Sequence, residues 1–375
     1  MPKGSRQRIP IPDRELAHFG WAQIEALRDD LERVIDGSER LRNGIAIFGS
    51  GYLGGLLHDR LVKAGAVVKY FIDNDTAKQG STAHGTRIVG PAELRTDPPE
   101  LILIAARNEV PQIKAQLAKE GITAISCESF TVISDFARFA EVRDLLSDER
   151  SRLVYDSVLK GMLTDQYSHY IDVFEANQYF ALPRFALPAR DHFVDAGAFV
   201  GDTIERLLWA STGNVAQIYA FEPGPAQAMA LRRRMLRMVE EWALAPEQVE
   251  CVQAGLGAAN GTAPFHDKPV ALSSGSFKTS QASGEVEVHA LDNFLNGRPA
   301  TFIKADVEGM ELELLAGARR TIQAFRPRLA LSLYHDPTHL YAIPLYLNAL
   351  VPEYRMAIRH HSPTCFETVL YCWIE

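Results

Sequence analysis

Twice in this chain a buried apolar run gives way to a glycine turn and then to an amphipathic helix. "IAIFGSGYLGGLLHDRLVKAG" opens at Ile45 and "HFVDAGAFVGDTIERLL" at His192. A strand that feeds a helix through a tight glycine turn, followed by another apolar strand, specifies a parallel sheet covered by helices. Two such openings about 150 residues apart predict an α/β chain with two Rossmann-like domains. The boundaries that follow are a helical leader over 1–42, a first Rossmann-like domain over 43–130, a helical bridge and connector over 131–190, and a second domain over 191–375. The bridge is read from helical spacing in "DFARFAEVRDLLSDERSRLVYDSVLKGML". The connector is read from the two prolines of "ALPRFALPAR".

The 375 residues are 47% hydrophobic with a net charge of -8. That charge argues against nucleic acid as a partner, because phosphate neutralisation needs a cationic surplus. The basic run "LRRRMLRM" reads as a solvated helix face. Cys127, Cys251, Cys365 and Cys372 form no C-x-x-C pair and fit a reducing compartment. No apolar run has transmembrane length and the first residues lack a signal-peptide core, so membrane insertion is not expected and a cytoplasmic protein is. A homo-oligomer is left open.

The two turns differ in charge. Gly49, Gly51 and Gly54 form a G-x-G-x-x-G, and Asp73 follows the last glycine by 19 residues. That spacing suits a phosphate over the helix start and a carboxylate on ribose hydroxyls. The other reading is a structural domain with no ligand. In the second turn, Asp195 precedes Gly197 and Asp202 follows Gly201. Two carboxylates there oppose a pyrophosphate and favour a cationic ligand without phosphate. S-adenosylmethionine is such a ligand. Glu222 ends the next strand 21 residues after Gly201, at the distance for ribose hydroxyls. Asp195, Gly197, Gly201, Asp202 and Glu222 are therefore the predicted cofactor residues.

"FVDAGAFVGDT", "YAFEPGP", "LDNFL", "TFIKADVEGMELELLAGA" and "RPRLALSLYH" together resemble the FkbM family of S-adenosylmethionine-dependent methyltransferases, over roughly His192 to Glu375. The resemblance implies a class I methyltransferase fold and methylation of a hydroxyl oxygen. It also implies cofactor roles for Asp195, Gly197, Gly201 and Glu222. "IFGSGYLGG", "YFIDND", "GTRIVGPAEL" and "LILIAARNE" are similar to Rossmann-like domains attached to sugar-modifying transferases and methyltransferases. That likeness implies a nucleotide or nucleotide-sugar in the first domain.

Methylation of a neutral hydroxyl needs a proton acceptor at the carboxyl ends of the central strands. "TFIKAD" ends at Asp306 and "RLALSLYH" at His335. An unperturbed imidazole titrates near ~6.5, so His335 is the expected base and Asp306 the orienting group. Lys304, Glu308 and Arg359 are expected at the substrate, a small molecule or sugar precursor, although Lys304 could equally pair with a carboxylate and "RHHS" could be a plain hairpin. His335 and His339 have a helical metal spacing, but Pro337 interrupts it and no third ligand is evident, so no metal is expected. Tyr179 and Phe180 read as core. The competing functions are a nicotinamide-dependent sugar oxidoreductase or epimerase using the first turn, and a non-catalytic nucleotide sensor. No tyrosine has the lysine four residues later that short-chain dehydrogenases use.

Overall fold

The computed structural model describes residues 20–35, 44–187, 189–265 and 284–375. Of the predicted leader, only residues 20–35, with the helix Trp21–Ile35, fall within these residues; the rest of 1–42 lies outside them.

The first sheet has the order β3-β4-β2-β1-β5-β6, from β1 (Ile45–Phe48), β2 (Val68–Ile72), β3 (Thr82–Ala83), β4 (Thr86–Val89), β5 (Leu101–Ile104) and β6 (Ala124–Ser126). Its long strands pair in parallel. Every residue of β1 and β5 is buried, as expected of strands covered on both faces. The helices Tyr52–Lys63 and Val110–Ala118 follow β1 and β5.

The second sheet has the order β15-β16-β14-β13-β7-β8-β9. Its strands are β7 (Asp191–Ala196), β8 (Val215–Phe221), β9 (Val249–Val252), β13 (Phe302–Ala305), β14 (Arg328–Ser332), β15 (Arg355–His360) and β16 (Thr368–Trp373). β7, β8, β9, β13 and β14 run parallel, and β16 is inserted antiparallel between β14 and β15. A small sheet of β10 (Gly255–Leu256), β11 (Gly261–Phe265) and β12 (Gly284–His289) lies between β9 and β13 in the chain. The strand order reverses between β7 and β13, which is where open parallel sheets leave a crevice for ligands.

The predicted bridge is helical at Cys127–Ser134, Phe136–Leu145 and Glu149–Thr164, and the connector holds a short helix, Pro183–Ala186. The bridge is not a spacer. Val132, Phe139, Val154 and Tyr155 share one core with Leu331, Leu340 and Ile358 of the second sheet and its cover. Ile24 of the leader helix is fully buried in the same core, and Trp21 stacks on Phe136. Among the described residues no helix is long and apolar enough to cross a membrane.

Candidate functional site

β7 delivers Asp195 into the sheet interior, where it is fully buried. Its neighbour across β13 is Lys304, and Lys304 Nζ lies 3.0 Å from Asp195 Oδ1. Burial pushes the Asp195 carboxyl up to about 6, against the pull of Lys304. The same ammonium donates to the Gly197 carbonyl at 2.7 Å, and its side chain is only 3% exposed. Lys304 is therefore a support beneath the turn, and the expectation that it contacts substrate is corrected. The charge argument from Asp195 is corrected too, because its partner compensates it and it does not face the cleft. Asp202 is exposed at the start of the helix Asp202–Ser211.

The turn above this pair is held by two tight approaches. Gly197 has φ +76°, and a Cβ there would lie 1.9 Å from the Asp306 carbonyl oxygen. Gly201 has φ +84°, and a Cβ would press on Met235 and Leu231. Both positions require glycine. Glu222 at the end of β8 is buried and accepts the backbone N–H groups of Phe199 at 2.9 Å and Gly224 at 2.8 Å. Burial raises its carboxyl to about 7, which those N–H groups and Lys304 oppose. Gly197, Glu222, Pro223, Gly255, Leu256 and Asp306 line one open cleft.

The cleft also takes in Asp306, Val307 and Glu308 after β13, and Asp306 is held by residues from the end of β14 and from the connector. β14 stops at Ser332, three residues before His335. Asp306 accepts the phenols of Tyr179 and Tyr334, each at 2.9 Å. His335 Nδ1 is 2.8 Å from Glu311 Oε1, and Nε2 is 3.4 Å from Asp306 Oδ1. Burial by itself would lower the His335 pKa, but Glu311, Asp306 and Glu308 outweigh it and raise it to about 9. The imidazole is thus held charged at neutral pH, and the expectation of a neutral resting base is corrected. Glu311 is fully buried, and its second oxygen lies 3.2 Å from His339 Nδ1. His339 therefore faces the same carboxylate as His335.

Arg359 is corrected as a substrate residue. It is buried, donates to Ser151 Oγ at 2.7 Å and pairs with Asp148 and Glu175, so it ties β15 to the helical bridge. His360 and His361 are likewise consumed within the terminal hairpin and its neighbours, the plain-hairpin reading of "RHHS".

In the first domain, Gly49, Gly51, Gly54 and Asp73 do meet at one turn. A Cβ at Gly54 would lie 2.0 Å from the Gly49 carbonyl oxygen, whereas one at Gly51 would meet nothing within 4 Å. Asp73, expected on ribose hydroxyls, accepts the Ser50 hydroxyl at 2.5 Å and Lys78 Nζ at 3.0 Å. The segment after the N-terminal turn also touches the loop after β13. Tyr52, first in the helix after the N-terminal turn, reaches Gly309; a Cβ on Gly309 would lie 2.1 Å from its hydroxyl. That hydroxyl is buried without a hydrogen-bond partner among the described residues. Arg107, beyond β5, pairs with Glu128 and donates to the Tyr334 carbonyl at 2.6 Å.

Sequence reasoning missed Tyr52, Glu311, Tyr334 and the site contact of Tyr179. Tyr179 is buried, as expected of core, and its hydroxyl is nevertheless on Asp306. Its φ of +66° and that of Glu308, +53°, place both in the left-handed region that non-glycine residues rarely adopt. Only Tyr334 had a signal in the sequence, its place beside His335.

Residues 195–361 match the family model described as methyltransferase FkbM domain. The crystal structure of the methyltransferase FkbM from Methylobacillus flagellatus KT is similar over 94% of this chain and 98% of its own, at 21% identity and a TM-score of 0.58. The likeness shows that this chain and that one share the whole two-sheet fold. An rRNA methylase from Streptococcus thermophilus (13% identity, 54% of this chain and 99% of that one, TM-score 0.34) matches only in part and carries no argument. The same holds for Aeropyrum pernix fibrillarin in complex with natively bound S-adenosyl-L-methionine (11%, 51% and 68%, 0.30). No curated protein matches the chain.

Proposed function

From an FkbM methyltransferase domain whose cleft runs from Glu222 to Asp306, we propose that the protein transfers a methyl group from S-adenosylmethionine to a hydroxyl oxygen. The observation that carries this reading is the cleft itself: a ribose-spaced carboxylate at one end and a polar cluster at the other, at the point where strand order reverses. Glu222 keeps lone pairs beyond those used by Phe199 and Gly224 and takes the ribose hydroxyls. Gly197, whose missing side chain makes room for the Asp306 carbonyl, shapes the turn against which the methionine portion lies. Asp195 and Lys304 form the floor.

The acceptor enters at Asp306 and His335. Tyr179 and Tyr334 fix the Asp306 carboxylate, and Glu311 fixes the imidazole. The hydroxyl oxygen forms a bond to the methyl carbon, the carbon–sulfur pair goes to sulfur, and the hydroxyl proton leaves. Asp306 is the group placed to receive it, with charged His335 alongside. Alignment of this kind is worth ~7–11 kcal/mol. The acceptor is a hydroxylated small molecule or sugar precursor met in the cytoplasm. The Gly49–Gly54 turn is proposed to hold a nucleotide or nucleotide-sugar over Gly51, whose surroundings are open.

Calorimetry tests the cofactor. S-adenosylmethionine and S-adenosylhomocysteine should bind at micromolar concentrations and NAD should not compete. Absence of binding by either sulfur compound would end this reading. Tritiated methyl transfer to a panel of sugar nucleotides and free polyols, followed by alkali treatment to separate ethers from esters, tests the oxygen assignment.

A further inference from the structure

Asp306 is served in part from outside the residues that carry the family match. That match spans 195–361; Gln178 and Tyr179 precede it and Glu367 follows it. These three nevertheless close on Asp306 as one chain of hydrogen bonds. Gln178 Nε2 donates to a Glu367 carboxylate oxygen and lies 3.1 Å from the Tyr179 hydroxyl. That hydroxyl lies 2.9 Å from Asp306 Oδ2, against 3.4 Å from Ser332 Oγ. The rest of Tyr179 is clamped. Its N–H donates to the Tyr371 hydroxyl at 2.9 Å, and Lys304 Nζ sits 5.2 Å from its ring centre. Glu367, at φ +69°, joins Tyr179 and Glu308 in the left-handed region. Backbone strain of this kind collects at functional sites, where surrounding contacts over-determine it.

The chain has a direction. A side-chain amide donates only from its nitrogen, and an ionised carboxylate only accepts. The Glu367 carboxylate therefore fixes which end of the Gln178 amide faces it. That nitrogen also donates to the Tyr179 oxygen, so the single phenolic proton is left for Asp306. We propose that Gln178 and Glu367 are positioning residues, which aim the Tyr179 hydroxyl at Asp306 and so hold its carboxylate for the acceptor. Their effect on catalysis rests on the hydroxyl-methylation reading; the hydrogen-bond chain does not. Protonation of Glu367 reverses the chain. Its O–H then donates to the Gln178 oxygen, the amide turns over, and the phenol donates to that same oxygen instead of to Asp306. Burial raises the Glu367 carboxyl to about 7; Asp306 adds to the rise, and Gln178, His335 and Lys304 oppose it. The phenols of Tyr179 and Tyr334 stand near the same charge. The productive arrangement is present above that pH and is lost as pH falls through it.

Carbon NMR of the full chain, labelled at the tyrosine Cζ and free of cofactor and acceptor, tests the chain of bonds. The Tyr179 resonance, identified by its loss in Tyr179→Phe, should titrate with a midpoint of about 7. In Glu367→Gln it should stay still. A resonance that never titrates between pH 5 and 8, or that titrates alike in both proteins, overturns the proposal. Methyl transfer to the best acceptor of the polyol panel tests the consequence, at saturating S-adenosylmethionine so that cofactor affinity does not enter. The wild-type kcat should fall roughly fivefold or more between pH 8 and pH 5.5, as expected of a group titrating near 7. That fall should vanish in Glu367→Gln. Gln178→Leu should lower kcat at pH 8 and leave the KM for S-adenosylmethionine unchanged. A flat wild-type profile, or an acid limb kept in Glu367→Gln, overturns the proposal, and this arm decides alone should Tyr179→Phe misfold. A Tyr179 titration that Glu367→Gln silences, with no methyl transfer by the wild type to any acceptor, would count against the methylation reading and leave the chain standing.

Discussion

In the turn after β1, the ribose-spaced carboxylate Asp73 is met by Ser50 and by Lys78, whose side chain is 43% exposed. In the turn after β7, Glu222 is met by two backbone N–H groups, and the lysine of that turn, Lys304, is sealed beneath it against Asp195. One turn is closed by a serine and a half-exposed lysine at the surface. The other is braced from below by a buried ion pair and leaves its cleft open. The difference teaches that the same strand–turn–helix pattern supports either a site its own side chains cover or a site preorganised for a ligand. The deciding factor is whether the counter-charge comes from the surface or from the core. Tyr52 starts the helix of the first turn and packs on Gly309, in the loop after β13.

The largest expected effect tests that contrast directly. Lys304→Met leaves Asp195 buried and unpaired and should cost about 3–5 kcal/mol. Lys78→Met, at the exposed counterpart, should cost within about 1 kcal/mol. Urea titrations measure both, and equal costs would erase the distinction between a core-braced and a surface-closed turn.

Next in size is glycine replacement. Gly197→Ala adds a methyl group where the Asp306 carbonyl already stands and forces a positive φ on alanine. A loss of roughly 2–4 kcal/mol is expected from crowding and strain together. Gly51→Ala, in open space at φ −84°, should melt like the parent chain.

Glu222→Ala should weaken S-adenosylmethionine by about 1.5–3 kcal/mol, the worth of hydrogen bonds to a charged acceptor. Asp73→Ala should leave that affinity alone. Unchanged calorimetric affinity in Glu222→Ala would remove Glu222 from the ribose.

The pH dependence sharpens the same residue. Burial raises Glu222 to about 7 in the fold, with Lys304 attracting its charge and Asp195 repelling it. A carboxyl raised above its unfolded value stabilises the fold fully at pH below about 4.5, and that contribution is lost as pH rises through about 7. Cofactor binding should run the other way, since the ionised form accepts the ribose hydroxyls. Affinity should fall up to about tenfold per unit below pH 7, and the slope should vanish in Glu222→Gln. A separate effect concerns the first turn. A nucleotide at a hundred times its dissociation constant should add about 2.7 kcal/mol of apparent stability, and Gly51→Val should remove it. No shift across a broad nucleotide panel would leave the turn purely structural.

The local grammar of this chain was written in its sequence. All-apolar runs such as "IAIF" and "LILI" must be buried on both faces. Glycines at 49, 54, 197 and 201 mark positive φ or close backbone approach, and Glu222 stands where the second strand of such a unit ends. These properties depend on short-range sterics and on the period of burial, which neighbours in the chain determine. Charge partnership does not. Lys304 and Asp195 are 109 residues apart and meet because β13 pairs with β7. Arg359 was drawn away from the cleft by bridge helices that precede β15 by some 200 residues. His335 was assigned an ordinary imidazole's proton affinity because Glu311 reads in the sequence as one more polar position of an amphipathic helix. Folding removes that carboxylate from water and sets it on the ring, and a buried electrostatic contact is far stronger than the same pair in solvent. The sequence by itself determined which segments become strands, turns and helices and where the cleft opens. Only the tertiary structure decided which charges face that cleft and which cancel beneath it, because electrostatic energy follows distance and burial in space rather than order along the chain.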